Sequence, residues 1–179
     1  MPNIITILAP GFEETEAISF IDLLRRAKIT VIVLGLTSRT ITGSHDITLS
    51  VETLLADFKE PFDGIVLPGG MPGSKNLAHS PRVLELVRES YERGSLCAAI
   101  CAAPMVLGRA GILKGMRATC YPGFEPELSG ATVVTESVVR DRNVITSRGL
   151  GTAVAFGLEL VSYLSGPDES KRIKSAVLY

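Results

Sequence analysis

The sequence predicts an α/β domain in which a mostly parallel sheet is covered by helices on both faces. Two observations carry that prediction. Short, almost wholly apolar runs recur at Asn3–Leu8, 30–36, 62–67 and 95–100, each ending in turn-forming residues. Between them lie longer stretches whose apolar residues repeat at helical spacing. Strands apolar on both faces need cover on both, and parallel neighbours need crossover helices, so the alternation reads as one doubly covered sheet. No linker, repeat or low-complexity segment interrupts the 179 residues, so the domain spans 1–179.

The elements follow in order. "NIITIL" is a buried strand, which makes the opening "MPNIITILAPGFEE" a core element rather than a signal peptide: it has no positive n-region and turns polar by Glu13. The segment 14–27 places Ala17, Phe20, Ile21 and Leu24 on one helical face. A second strand covers 30–36, and "TITGSHDITLS" (40–50) reads as a small side hairpin. The strand in "FDGIVLPGG" ends at Gly69 and Gly70. Ser80 and Pro81 supply an N-cap and a first-turn proline for a helix to about Arg93. "SLCAAI" is the fourth core strand, followed by a helix over 103–110 with Gly111 after its end. The segment 131–147 reads as a hairpin turning at 141–143, and 151–164 as the last long helix.

Composition excludes several functions. A net charge of −1 and a pI near 6.1 give no basic footprint for nucleic acid. No apolar run approaches the roughly 20 residues that cross a bilayer. Three sparse cysteines are no disulfide framework; Cys97 and Cys101, four residues apart on one strand, are too distant to bridge, so free thiols and a cytoplasmic location are expected. His45 and His79 lack any metal-ligand spacing, and no metal is expected.

In a sheet of this kind ligands bind beyond the carboxyl ends of the strands. The loops after Leu8, Leu67 and Ile100 then gather Glu13, Glu14, Glu16, Gly69, Gly70 and Cys101. Cys101 sits where a strand stops and a proline-led helix starts, flanked by Ala102 and Ala103, a sharp elbow whose free N–H groups favour thiolate. A small residue filling the core would look the same from position alone. Cys97 and Cys120 sit at no elbow and read as packing. The carboxylates of "GFEETEA" favour a helix start, and one of them, if protonated, can also hydrogen-bond a thiol. "LPGG" is either a tight turn or a source of N–H groups for an oxyanion. It lacks the phosphate-loop pattern, and the pair Gly149 and Gly151 lacks the third glycine of a dinucleotide fingerprint.

Taken together, "AICAAP" around Cys101, "GFEETEA" around Glu16, "LPGG" at 67–70 and "TSRGLGT" at 146–152, in that chain context, resemble the ThiJ/PfpI superfamily, in particular the branch of the parkinsonism-associated protein deglycase. The resemblance implies a flavodoxin-like three-layer sandwich, a homodimer, and an elbow cysteine that reacts with carbonyls and oxidises readily. Cys101 matches the nucleophile and Glu16 the protonated carboxylate that hydrogen-bonds it. Gly69 and Gly70 match the backbone donors, and Glu13 a second pocket carboxylate. Asp22 and Arg26 fall at the dimer contact, where His45 stands in a place often held by arginine. Tyr121 replaces a histidine near the cysteine, and Ala102 replaces the histidine that follows the nucleophile in the peptidase-like branch, which counts against proteolysis. The function implied is a cofactor-independent enzyme acting on small aldehydes: a glyoxalase-III-like conversion of methylglyoxal to lactate, with protein deglycase activity, in carbonyl and oxidative stress. The alternative is a redox sensor or chaperone-like stress protein working through oxidation of Cys101.

Overall fold

Alternation along the strands decides the architecture. In the computed structural model, which describes residues 2–179, the chain runs β1 (Asn3–Leu8), α1 (Glu14–Arg26), β2 (Thr30–Gly35), β3 (Thr40–Thr42), β4 (Thr48–Ser50), β5 (Thr53–Leu54), β6 (Gly64–Leu67), α2 (Gly73–Ala78), α3 (Pro81–Glu92) and β7 (Leu96–Ile100). It continues with α4 (Pro104–Ala110), β8 (Arg117–Ala118), β9 (Thr132–Val133), β10 (Val138–Asp141), β11 (Val144–Ser147), α5 (Ala153–Ser165) and α6 (Pro167–Ala176). Ile5 and Ile7 of β1, Ile65 and Leu67 of β6, and Cys97 and Ala99 of β7 face the layer of α2, α3 and α4. Their neighbours Ile4, Leu8, Val66, Ala98 and Ile100 face the layer of α1, α5 and α6. Period-two side chains on strands buried on both faces thus make two cores, one on each side of the sheet.

The sheet has seven strands in the order β10-β11-β7-β6-β1-β2-β5, all parallel except the edge pair β10–β11. This is the mostly parallel, doubly covered sheet expected from the sequence. α1 and α5 pack closely because Gly157 has no side chain; a Cβ there would stand 2.5 Å from Leu23 Cδ1. Phe20 and Phe156 meet edge to face at 6.2 Å between centroids, both fully buried. An aromatic pair of this geometry contributes about 0.5–1.5 kcal/mol beyond its buried area.

Local signals place most elements as read. Ser80 Oγ accepts from Val83 N at 3.4 Å ahead of Pro81, and Gly111 ends α4 at φ 82°. The side hairpin is β3 with β4. Two readings need correction. Only 138–147 of the later segment forms the hairpin, while Thr132–Val133 pairs with β8, parallel, in a separate ribbon. The chain also does not end its helices at 164: after Gly166, Pro167 opens α6 with Asp168 and Glu169 in its first turn, and Ile173 anchors it in the core. Among the described residues no helix is long and apolar enough to cross a membrane.

Candidate active site

Three adjacent parallel strands, β1, β6 and β7, end on the same edge, and the residues that follow them converge. Cys101 follows β7 directly and adopts φ 64°, a left-handed conformation that costs a non-glycine residue about 1–3 kcal/mol unless its surroundings fix it. They do fix it: Cys101 N donates to Ser147 O at 2.9 Å, and Tyr121 N donates to Cys101 O at 2.8 Å. Pro104 then starts α4. Cys101 is half-buried, whereas Cys97 and Cys120 are buried, and all three are free thiols.

Glu16 lies in the first turn of α1 and is 1% exposed. Its Oε2 accepts from Gly69 N at 2.9 Å, and its Oε1 meets no well-aligned donor. Burial pushes this carboxyl up to about 7, and the Glu13 charge adds to the rise, against the lowering effects of the Gly69 amide and the Cys101 thiol. Glu13 caps α1, its Oε2 accepting from Glu16 N at 2.5 Å, while its own N–H donates to Gly69 O at 2.9 Å. Gly69 lies hard against the pair: a Cβ there would stand 2.5 Å from Cys101 Cβ and 2.6 Å from Glu16 Oε2.

Two expectations change here. Gly69 does not offer its amide to an oxyanion, because Glu16 occupies it. The amides that favour a charged sulfur are those of Gly70 and Ala102. Nor do the elbow amides act on the thiol unopposed. Burial pushes the Cys101 thiol up to about 12, ionised Glu16 adds to this by charge and by hydrogen bonding, and the two amides only partly offset them. Both contributions of Glu16 depend on its being ionised, so Cys101 and Glu16 titrate as one unit.

Tyr121 is half-exposed, with its ring beside Gly149, where a Cβ would lie 3.2 Å from Tyr121 Cδ2 and 3.9 Å from Cys101 Sγ. Gly149 is therefore part of the thiol's surroundings, a place sequence reading did not give it, although "TSRGLGT" contains it. Asp22 and Arg26 pair with each other at 2.6 Å on the exposed face of α1. The β3–β4 hairpin folds onto the start of α1 and puts His45 Nδ1 3.2 Å from Glu14 Oε2 and 4.0 Å from Glu13 Oε1. The donor atoms of Glu13, Glu14 and His45 fall within 4.8 Å of one another. The Glu14 oxygens are already engaged by the amides of His45 and Ile47, by Ser44 Oγ and by the His45 ring. Burial opposes the Glu14 charge, yet these hydrogen bonds and one from its own amide hold the carboxyl below its usual range. The chemistry available at the edge is thus a positioned thiol, a proton-exchanging carboxyl and two amides on the sulfur.

A profile described as DJ-1/PfpI family matches residues 2–163. The chain is 41% identical over 178 residues to Protein dj-1beta of Drosophila melanogaster, covering 97% of this chain and 95% of that one. It is 34% identical over 164 residues to the glutathione-independent glyoxalase DJR-1.2 of Caenorhabditis elegans, covering 90% and 87%. The crystal structure of Drosophila melanogaster DJ-1beta superposes with a TM-score of 0.95 at 40% identity, over 99% of this chain and 97% of that one.

Proposed function

The chain belongs to the DJ-1/PfpI family, and from that membership and the Cys101–Glu16 pair we propose that it is a cofactor-independent cysteine enzyme converting α-oxoaldehydes to 2-hydroxy acids. The observation that carries this reading is a carboxyl poised at about 7 beside an elbow thiol. A proton-transfer group works best with a pKa near the operating pH, so Glu16 can both take and return a proton. As Sγ attacks the aldehyde carbon of methylglyoxal, Glu16 accepts the thiol proton, and the Gly70 and Ala102 amides, which favour a charged sulfur, steady it during attack. Glu16 passes that proton to the new alkoxide, which completes the hemithioacetal and restores the carboxylate; the carboxylate then takes the carbon-bound proton, and the adduct becomes an enediol. Return of the proton to the neighbouring carbon leaves a lactate thioester on Cys101, and water releases lactate and the thiol. The aldehyde carbon is oxidised and the ketone carbon reduced, so the sequence needs no external redox partner. Release of the same adduct from a glycated side chain would be the deglycase activity.

The C. elegans relative's name supports the substrate class. Three free thiols fit a reducing compartment such as the cytoplasm, and the exposed face of α1 with Asp22, Arg26 and Ile18 fits the contact of a homodimer. The test is lactate formation from methylglyoxal by the unmodified protein, Cys101→Ser and Glu16→Gln. Multiple-turnover lactate is expected only from the first. A second reading, a redox sensor, has one observation in its favour: the Gly70 and Ala102 amides, which favour a charged sulfur, would also hold sulfinate oxygens. No lactate, with Cys101 oxidised selectively by peroxide, would replace the enzyme with the sensor.

A further inference from the structure

The same edge of the sheet opens a second cavity, of about 590 Å³, on the far side of β1 from the thiol. Its floor comes from the residues that follow three neighbouring strands: Pro10 after β1, Leu36 and Thr37 after β2, Leu55 and Ala56 after β5. Leu55 is buried and Leu36 half-buried, so the floor is apolar. The facing wall comes from α2 and the start of α3 and carries Lys75, His79 and Arg82. Among the described residues no carboxylate lines the cavity.

Parts of that wall are pinned. Asn76 Nδ2 donates to Pro10 O at 3.1 Å, tying the wall to the floor, and His79 Nδ1 donates to Lys75 O at 2.7 Å, which leaves Nε2 for a ligand. Arg82 reaches Glu85 one turn along α3 at 3.4 Å, an exposed pair too weak to hold the guanidinium away. An apolar floor with one-signed polar groups converging above it, at the carboxyl ends of parallel strands, is where such sheets bind small molecules, and the volume lies within the range of about 300–1,000 Å³ such sites have.

We propose that this cavity is a ligand site separate from the Cys101 pocket, taking a small organic phosphate monoester whose apolar body lies on Leu36 and Leu55 and whose phosphate sits among Lys75, His79 and Arg82. A phosphate dianion can engage Lys75 and Arg82 at once, with a fork from arginine and a point charge from lysine, whereas a carboxylate brings one charge.

The test is an amide-shift titration of the full chain with phenyl phosphate, followed by ¹H–¹⁵N correlation spectra. Saturable shifts are expected at Thr37, Asn76, His79 and Ser80, with Cys101 and Glu16 unmoved and a dissociation constant of about 1 mM or tighter. Lys75→Glu with Arg82→Glu, both at exposed positions, should weaken binding by about tenfold or more, whereas Lys171→Glu on α6 should leave it unchanged. Absence of saturable shifts up to about 10 mM overturns the site. Inorganic phosphate binding as tightly as phenyl phosphate overturns the role of the floor, and benzoate doing so overturns the assignment to phosphate.

Discussion

Replacing Glu16 by Gln should make the protein more stable at pH 8 while it stops turnover. Glu16 is 1% exposed, one of its oxygens has no well-aligned donor, and burial lifts its carboxyl from 4.5 to about 7. Below pH 4.5 the carboxyl is protonated in both folded and unfolded chains and contributes nothing to the pH dependence. Between pH 4.5 and about 7 the folded protein keeps a proton that the unfolded chain has lost, so stability falls as pH rises; above about 7 the whole penalty is present. At about 1.4 kcal/mol per pH unit the penalty is about 3 kcal/mol. Gln has the same shape and no charge to bury, so the variant should match the wild type near pH 4.5 and exceed it by about 3 kcal/mol at pH 8, or roughly 6–12 °C in Tm for a chain of this length. Urea unfolding of both proteins at pH 4.5, 6 and 8 measures this, and the difference between them cancels every group they share. A stability difference that does not change with pH, or a variant less stable at pH 8, would refute the reasoning. The expected pairing of greater stability with lost activity is what a strained functional charge produces.

Two further outcomes follow from the same geometry. Cys101 should be alkylated by iodoacetamide faster than Cys97 or Cys120 at pH 7, as peptide mapping would show, because Cys101 is half-buried while Cys97 is 0% and Cys120 3% exposed; labelling of either ahead of Cys101 would sink the elbow argument. Gly69→Ala should cost about 1–3 kcal/mol in urea unfolding and lower lactate formation more than about tenfold, since its methyl would collide with Cys101 Cβ, Glu16 Oε2 and, at 2.9 Å, Ile100 O, and wild-type behaviour in both assays would count against the close approach.

What was legible in the sequence was what a few neighbouring residues decide. Ser80-Pro81 starts a helix and Gly111 ends one by local backbone chemistry, and the apolar runs at 3–8 and 95–100 require cover wherever they lie. From those, the convergence of Glu16, Gly70 and Cys101 follows by topology. α2 and α6 escaped because neither carries a long apolar period: α2 has six residues, and α6 buries only Ile173. His45 escaped for a different reason. Its place against Glu14 depends on a hairpin folding across to a helix start about thirty residues away, and Gly43 permits this by having no side chain where Glu14 lies. The signal was the buried carboxylate itself: three acids in "EETE" could not all be solvated if the helix start was packed.

The charge state of Cys101 bears on both functional readings. A helix start and two amides favour thiolate, while burial and the charge of ionised Glu16 push the thiol up. Peroxide attacks the thiolate, so oxidation too depends on where the thiol proton goes. An aldehyde presents a carbonyl on which negative charge develops only as the bond forms, and Glu16, poised at about 7, can take the thiol proton during that same step. The pairing therefore makes the nucleophile when an electrophile that can use the proton arrives. A sensor would gain from a carboxyl farther from the sulfur, or one held permanently protonated; a carboxyl that exchanges its proton near neutrality serves turnover.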